Sequence, residues 1–122
     1  MTNKEIIIEV IEAFDRGDGE AITKHMTDDV EWHMLGDQTF TGKEALKKFF
    51  ADNTEMKVLS ATKDHIIIDG DNVAVDGQVQ CTGPNGAFYD MYYCDIYELE
   101  NAKVKKFITY TVNKNSVKAG QR

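Results

Sequence analysis

The hydrophobic pattern of this 122-residue chain changes its period once, after Asn53, and that change restricts the folds open to it. Before Asn53 the apolar residues recur at helical spacing, whereas after it they alternate with polar residues, as in half-buried strands. Helices followed by strands are typical of the α+β class, in which a sheet must wrap over the helices to bury their apolar faces. We therefore predict three N-terminal helices packed in a long, curved antiparallel sheet.

Capping residues delimit the first two helices. Thr2 and Glu5 form a capping box, and Gly17 ends the helix that it starts. Asp18 is placed to cap a second, shorter helix that reaches about Met26. The first helix is the longer and more strongly amphipathic of the two.

A strand and a third helix follow. Alternation over Val30–Leu35 predicts a half-buried strand that places Trp32 on one face and His33 on the other. A second capping box, made by Thr41 and Glu44, starts the third helix. This arrangement places all three helices before most of the sheet.

The remaining strands form a predicted meander. Turns rich in Gly, Asn and Asp separate them, and the predicted strands are Val58–Asp69, Val73–Thr82, Phe88–Glu100 and Lys103–Val112. One domain spans residues 1–114, and residues 115–122 form a polar tail.

The hairpin around Pro84 decides which residues share a face of the sheet. Proline fixes φ near −65°, which excludes the two-residue turns that need a positive φ at that position. A three-residue loop remains, with a type I turn over Pro84 and Asn85 and a left-handed Gly86. In that register Val75 faces Asp95.

Asp95 consequently shares its face with apolar and aromatic residues. Burial disfavours the charged form of a carboxyl group, so the pKa of Asp95 should rise and the protonated acid could donate a hydrogen bond. Two interpretations are open. Asp95 is either a functional acid in a pocket or a core residue whose hydrogen bonds to neighbouring tyrosines are structural.

Composition excludes several classes of partner. A net charge of −7 and a pI near 4.9 oppose binding to nucleic acid or to an anionic membrane. Neither a signal peptide nor a long apolar segment is evident, so we expect a cytoplasmic protein. The two cysteines are too far out of register to pair. No Cys-x-x-Cys or His cluster suggests a metal, and we expect no metal or cofactor.

Five segments occur in a characteristic order: Phe14-Asp15-Arg16-Gly17-Asp18, Asp28-Asp29-Val30-Glu31-Trp32, Gly42-Lys43-Glu44-Ala45-Leu46, Asp95–Glu98 and Val104–Tyr110. Their order resembles the SnoaL-like branch of the nuclear transport factor 2-like superfamily, which also contains the ketosteroid isomerases. The resemblance implies a cone-shaped α+β barrel, a pocket between the helices and the concave face of the sheet, and a homodimer. It does not imply one activity, because this fold carries many.

The resemblance also implies roles for single residues. Asp95 matches the aspartic acid that ketosteroid isomerases use in their oxyanion hole, but the position of their general base is Trp32 here. The tyrosine that they carry on the first helix is Val10. Steroid isomerisation by that mechanism is therefore not expected. Any base must therefore come from elsewhere, and there are two candidates. One is His33, because an imidazole ordinarily titrates near neutrality, and the other is Asp37, in a loop at the mouth of the pocket.

Aromatic residues and methionines are expected to form the wall of the pocket, although the same residues would also build an ordinary core. They are Trp32, Met34, Phe49, Met91, Tyr93, Tyr97 and Tyr110.

Two functions fit these observations. One is a cofactor-independent isomerase, dehydratase or cyclase that acts on a small hydrophobic carbonyl compound, with Asp95 polarising the carbonyl group and His33 or Asp37 moving the proton. The other is a non-catalytic ligand-binding or homodimeric interaction module. A homodimer would use the outer face of the sheet, where Tyr92 and Ile96 lie.

Overall fold

The computed structural model describes residues 1–114, so the predicted polar tail, 115–122, lies outside the described residues. The helices are α1 (Asn3–Arg16), α2 (Gly19–Thr23) and α3 (Lys43–Asp52). The strands are β1 (Met26–Met34), β2 (Gln38–Thr41), β3 (Lys57–Ala61), β4 (His65–Asp69), β5 (Asn72–Thr82), β6 (Phe88–Glu100) and β7 (Lys103–Asn113).

Within the described part of the chain, seven strands form one curved sheet in the order β2-β1-β7-β6-β5-β3, with β4 also paired to β5. The predicted α+β class, with three helices against a curved sheet, is confirmed. Two details differ from the prediction. The sheet is not closed into a barrel, and it is mixed because β1 and β7 run parallel. The parallel pair is possible because α3 and the strands β3 to β6 form a long connection between them.

Helix α1 has the predicted ends. The Thr2 side chain accepts from the backbone of Glu5, the Glu5 side chain accepts from the backbone of Thr2, and Gly17 takes a left-handed conformation. The end predicted for α2 is wrong. That helix stops at Thr23, because Met26 already belongs to β1 and pairs with Val104 of β7.

The predicted start of α3 is also wrong. Thr41 does not cap the helix, because it belongs to β2 and pairs with Glu31 of β1. Gly42 takes the capping position with φ +96°, and no side chain caps the helix there.

The segment predicted as one long strand, Val58–Asp69, is two strands. Between Ala61 and His65 the pairing with β5 shifts by one residue, although the backbone N–H groups of Thr62 and Asp64 still donate to the carbonyl oxygens of Gln78 and Asp76. At this irregularity the Thr62 carbonyl lies against Gly77, where a Cβ atom would be only 2.1 Å from its oxygen, so only glycine allows this close approach.

The β5–β6 hairpin has the predicted register, and Val75 faces Asp95. The loop is three residues long, as predicted, but its turn is not of type I. Asn85 has φ +60° and Gly86 has φ +75°, so both residues are left-handed. Asparagine tolerates this conformation better than most residues do.

The core lies between α1 and the concave face of the sheet. Aromatic rings dominate it around Trp32, which stacks on Phe107 at 5.1 Å between ring centroids and meets Phe14 edge-on at 5.7 Å. Tyr97 in turn stacks on Phe107. In residues 1–114 no helix is both long and apolar enough to cross a membrane.

Candidate functional site

A cavity of about 180 Å³ lies between α1 and the concave face of the sheet. Apolar atoms form most of its surface, and half of the residues that line it are apolar: Ile11, Phe14, Trp32, Val58, Ala61 and Val79. The other half carries polar groups: Asp15, Tyr93, Asp95, Tyr97, Thr109 and Thr111. The cavity therefore combines apolar surface with a few convergent acids and hydroxyl groups, the usual composition of a small-molecule site.

Two strands supply most of the polar groups. Alternation along β6 directs Tyr93, Asp95 and Tyr97 to the same face, and Thr109 of β7 is the cross-strand partner of Asp95. The hairpin register fixes these positions, because a shift by one residue would turn all of them to the outer face.

The Asp95 carboxyl group belongs to a short hydrogen-bond network. The Tyr97 hydroxyl donates to Oδ2 of Asp95 at 3.4 Å. The Trp32 indole N–H donates to Oγ1 of Thr109 at 2.9 Å, and the Thr109 hydroxyl in turn favours the ionised form of Asp95. Oδ1 is shielded from solvent, and no atom within residues 1–114 meets hydrogen-bond geometry with it.

Burial dominates the acidity of Asp95. It raises the pKa of this carboxyl group from 3.8 to about 6, although the nearby hydroxyl groups of Thr109 and Tyr97 act in the opposite direction. The predicted rise in pKa thus agrees with the environment found here. A carboxyl group that titrates near 6 can hold or release a proton close to neutral pH, which suits acid–base chemistry.

The two tyrosines differ in how they are held. The Tyr93 hydroxyl donates to the carbonyl oxygen of Thr62 at 2.6 Å, which ties β6 to the connection between β3 and β4. Tyr97 is fully buried. Burial and the charge of Asp95 raise the pKa of both phenols well above the usual range, so both remain hydrogen-bond donors at any physiological pH.

Asp15 also lines the cavity, although it was not among the site residues predicted from the sequence. It lies in the last turn of α1, four residues after Ile11, on the edge of the apolar stripe of that helix. Burial raises its pKa, and the positive charge of Lys63 opposes that rise. The spacing from Ile11 was the signal that could have revealed it, because residues four apart share a helix face.

The two bases suggested from the sequence lie elsewhere. His33 is on the face of β1 opposite Trp32, where its Nε2 lies 2.9 Å from Oε1 of Glu31 and its Nδ1 lies 3.4 Å from the Thr39 hydroxyl. Asp37 is exposed in the turn between β1 and β2. The structure brings neither residue to the cavity that Asp95 lines.

The residues expected in the pocket wall separate into two groups. Trp32, Tyr93 and Tyr97 line the cavity, but four others do not. Phe49 packs edge-on against Trp32 with 5.3 Å between the ring centroids, and Met34 packs against the core. Met91 is half-buried further along β6, and Tyr110 faces outward.

Known families and structures agree with this architecture. The model of the SnoaL-like domain matches residues 7–107, which cover both carboxyl groups of the cavity. None of the curated proteins matches the sequence.

Similar solved structures share the fold over nearly the whole chain. An NTF2-like protein of unknown function from Burkholderia pseudomallei is 22% identical over 92% of each chain, with a TM-score of 0.79. The epoxide hydrolase/cyclase-like enzyme SalBIII, with a role in pyran ring formation in the polyether salinomycin, is 23% identical over 90% of each chain, with a TM-score of 0.76. An LEH-like epoxide hydrolase of M. tuberculosis is 12% identical over 88% of this chain and 80% of its own, with a TM-score of 0.78.

Proposed function

This chain belongs to the SnoaL-like family, and we propose that its cavity binds a small hydrophobic carbonyl compound on which it catalyses proton transfer without a cofactor. The observation that carries the proposal is the Asp95 carboxyl group, which has a pKa near 6 and faces a cavity with mostly hydrocarbon walls. Such a group is costly to bury as an anion, whereas in its protonated form it can donate a hydrogen bond to a bound oxygen atom.

Asp95 acts as the proton or hydrogen-bond donor to the carbonyl oxygen. Its proton polarises the carbonyl group and stabilises the negative charge that develops on the oxygen when a neighbouring carbon loses a proton. Isomerisation, dehydration and aldol-type cyclisation all pass through such an enol-like state. The chemistry of Asp95 therefore defines a reaction class rather than a single product.

The size of the cavity limits the substrate. Its volume of about 180 Å³ is close to that of an apolar cavity of about 150 Å³ known to accept benzene in another protein. We therefore expect compounds with one ring, or short branched chains of similar size, and not four-ring steroids.

A thermal-shift comparison tests the proposal. The compounds are cyclohexanone, acetophenone and, as an oversized control, a steroid ketone. They are added to the wild type, to Asp95→Asn and to Asp76→Asn, which changes a carboxylate on the other face of neighbouring β5. A ligand at a hundred times its dissociation constant adds about 2.7 kcal/mol of stability, so binding raises the melting temperature.

We expect a single-ring ketone to stabilise the wild type and Asp76→Asn but not Asp95→Asn. Because the donor must be protonated, affinity should fall by about tenfold for each pH unit above about 6. Stabilisation that is equal in all three proteins and independent of pH would show that Asp95 does not contact the ligand. If no carbonyl compound stabilises the wild type, the proposal is wrong.

The alternative is a protein of the same fold that binds a ligand without turnover. The positions of His33 and Asp37, both remote from Asp95, favour it. NMR of cyclohexanone bound to the protein in D₂O distinguishes the two functions. Exchange of the hydrogens beside the carbonyl group indicates proton transfer, and binding without exchange indicates a carrier or sensor.

A further inference from the structure

Two carboxyl groups line the cavity from opposite walls. Asp95 projects from β6 of the sheet, and Asp15 projects from the last turn of α1, which packs across the concave face. A small molecule in the cavity would therefore lie between two groups that can each hold a proton.

Stability does not account for the position of Asp15. The C-terminal end of a helix carries partial negative charge, so a carboxylate in the last turn is unfavourable. Within residues 1–114 the Asp15 carboxylate makes neither a hydrogen bond nor an ion pair within 4 Å, and Lys63 acts on it only from a greater distance. By contrast, Arg16 and Asp18 next to it form a salt bridge on the surface.

One carboxyl oxygen of Asp95 also lacks a hydrogen-bond partner within the described residues. Oδ1 of Asp95 is buried and has no hydrogen-bond partner in the described residues, which is rare for a carboxyl oxygen. A buried acid with one unpaired oxygen, opposite a second acid across an apolar cavity, is the arrangement expected of a site that is completed by a polar group of a ligand.

We propose that Asp15 is the general base of this cavity and works across the bound molecule from Asp95. This inference rests on the proposed function, because it gives Asp15 the proton-accepting half of the reaction in which Asp95 is the donor. It places the base on the first helix, whereas the sequence suggested His33 or Asp37.

The step can be written for a ketone. The Asp15 carboxylate takes a proton from the carbon beside the carbonyl group, and the electron pair of that C–H bond forms a carbon–carbon double bond. The carbonyl π pair moves to oxygen, which takes the proton of Asp95, so that a neutral enol forms between Asp15 as acid and Asp95 as carboxylate. Return of the proton from Asp15 to the same carbon, or to a conjugated one, and return of the enol proton to Asp95 restore both groups.

The surroundings assign the two roles. Asp95 lies deeper, and its burial favours the protonated form more strongly. Asp15 is influenced by the positive charge of Lys63, which favours its ionised form. Two acids whose environments separate their pKa values in this way have one proton between them over a range of pH, as an acid–base pair requires.

Other ionisable groups near Asp15 also affect it. They are Glu12 on the same helix, Lys63 in the β3–β4 connection, and Tyr93 and Tyr97 on β6. Neither tyrosine changes charge near neutrality, so Asp15 and Asp95 dominate the pH dependence. The rate of proton transfer should rise as Asp15 ionises and fall above about pH 6 as Asp95 loses its proton, which gives a bell-shaped profile.

The probe for this proposal is cyclohexanone, whose exchange of α-hydrogens in D₂O is followed by NMR from about pH 4 to about pH 9. The proteins are the wild type, Asp15→Asn, Asp95→Asn and Glu12→Gln, a matched loss of charge on the exposed side of α1. We expect Asp15→Asn to lose about a hundredfold or more of the exchange rate while still binding cyclohexanone in the thermal-shift assay. Because the charge of Glu12 raises the pKa of Asp15, Glu12→Gln should shift the acid limb of the profile to lower pH while keeping most of the maximal rate, and Asp95→Asn should lose binding as well.

A second measurement does not depend on catalysis. The carboxyl ¹³C signal of Asp15 is titrated with and without cyclohexanone, and a ligand that touches Asp15 must change its titration. An unchanged titration, or exchange at the wild-type rate in Asp15→Asn, overturns the assignment of Asp15 but leaves the proposed function in place. Loss of folding in Asp15→Asn also overturns it, because Asp15 would then be a structural residue. Absence of cyclohexanone binding by the wild type overturns both proposals.

Discussion

The burial of Asp95 that raises its pKa, and so suits acid–base chemistry, also lowers the stability of the fold when the group is ionised. Its burial disfavours the carboxylate, and the hydroxyl groups of Tyr97 and Thr109 offset only part of that cost. The folded protein therefore binds the Asp95 proton more tightly than the unfolded chain does. Stability is highest where the group is protonated in both states and falls as the pH rises from about 4 to about 6.

Asp95→Asn should remove this pH dependence. The shift in the pKa of Asp95 from 3.8 to about 6 corresponds to about 3 kcal/mol, so the variant should exceed the wild type by up to that amount above pH 6. The two proteins should converge near pH 4. Urea unfolding at a series of pH values measures the difference.

Asp76→Asn controls for the loss of one negative charge, because Asp76 is half-exposed on the outer face of the sheet. A variant Asp95→Asn that is less stable than the wild type at every pH would mean that the hydrogen bonds of Asp95 outweigh its burial. Asp95 would then be a structural residue.

The sequence predicted the individual strands better than it predicted the pairing between strands and the packing of α1 on the sheet. Proline in the β5–β6 loop constrained the register, and alternation then placed Tyr93, Asp95 and Tyr97 on one face, because both signals are local. The break between β3 and β4 was missed because its cause, the glycine at position 77, lies on another strand. Asp15 faces inward because of the way α1 is rotated against the sheet. Apolar periodicity defines that rotation only to within the width of the apolar stripe of the helix.

Gly77→Ala tests the close approach of the β3–β4 connection to β5. The new Cβ atom would meet the backbone of Thr62, which cannot move aside as a flexible side chain can. We expect a loss of about 1–3 kcal/mol, typical of overpacking, and a weaker thermal shift with single-ring ketones, because Val58 and Ala61 form part of the cavity wall. Urea unfolding and the ligand assay measure the two effects. Unchanged stability would show that the connection does not approach β5 so closely.

The outer face of the sheet exposes large aromatic and aliphatic side chains, although the chain carries a net charge of −7. Tyr92, Tyr110 and Val112 are 51%, 42% and 62% exposed on neighbouring strands of that face. Exposed apolar patches of this kind often mark contacts between proteins. We propose that two copies of the chain pair through this face about a two-fold axis.

Sedimentation velocity tests the pairing. The wild type should sediment as a dimer, and Tyr92→Glu should sediment as a monomer, because the two-fold axis would bring like charges together. Leu35→Glu, which places the same charge in the exposed turn between β1 and β2, should remain dimeric. A monomeric wild type at high concentration would contradict the proposal.

The parallel pairing of β1 with β7 also has a consequence for synthesis on the ribosome. All three helices and the β1–β2 hairpin are synthesised before β7, so one edge of β1 has no partner strand until β7 has emerged. Trp32 stacks on Phe107 of that last strand and is left without it in every shorter nascent chain. The fluorescence of this single tryptophan should therefore change when β7 pairs with β1 in the growing polypeptide. Truncation before β7 should leave an incomplete sheet that chaperones continue to bind.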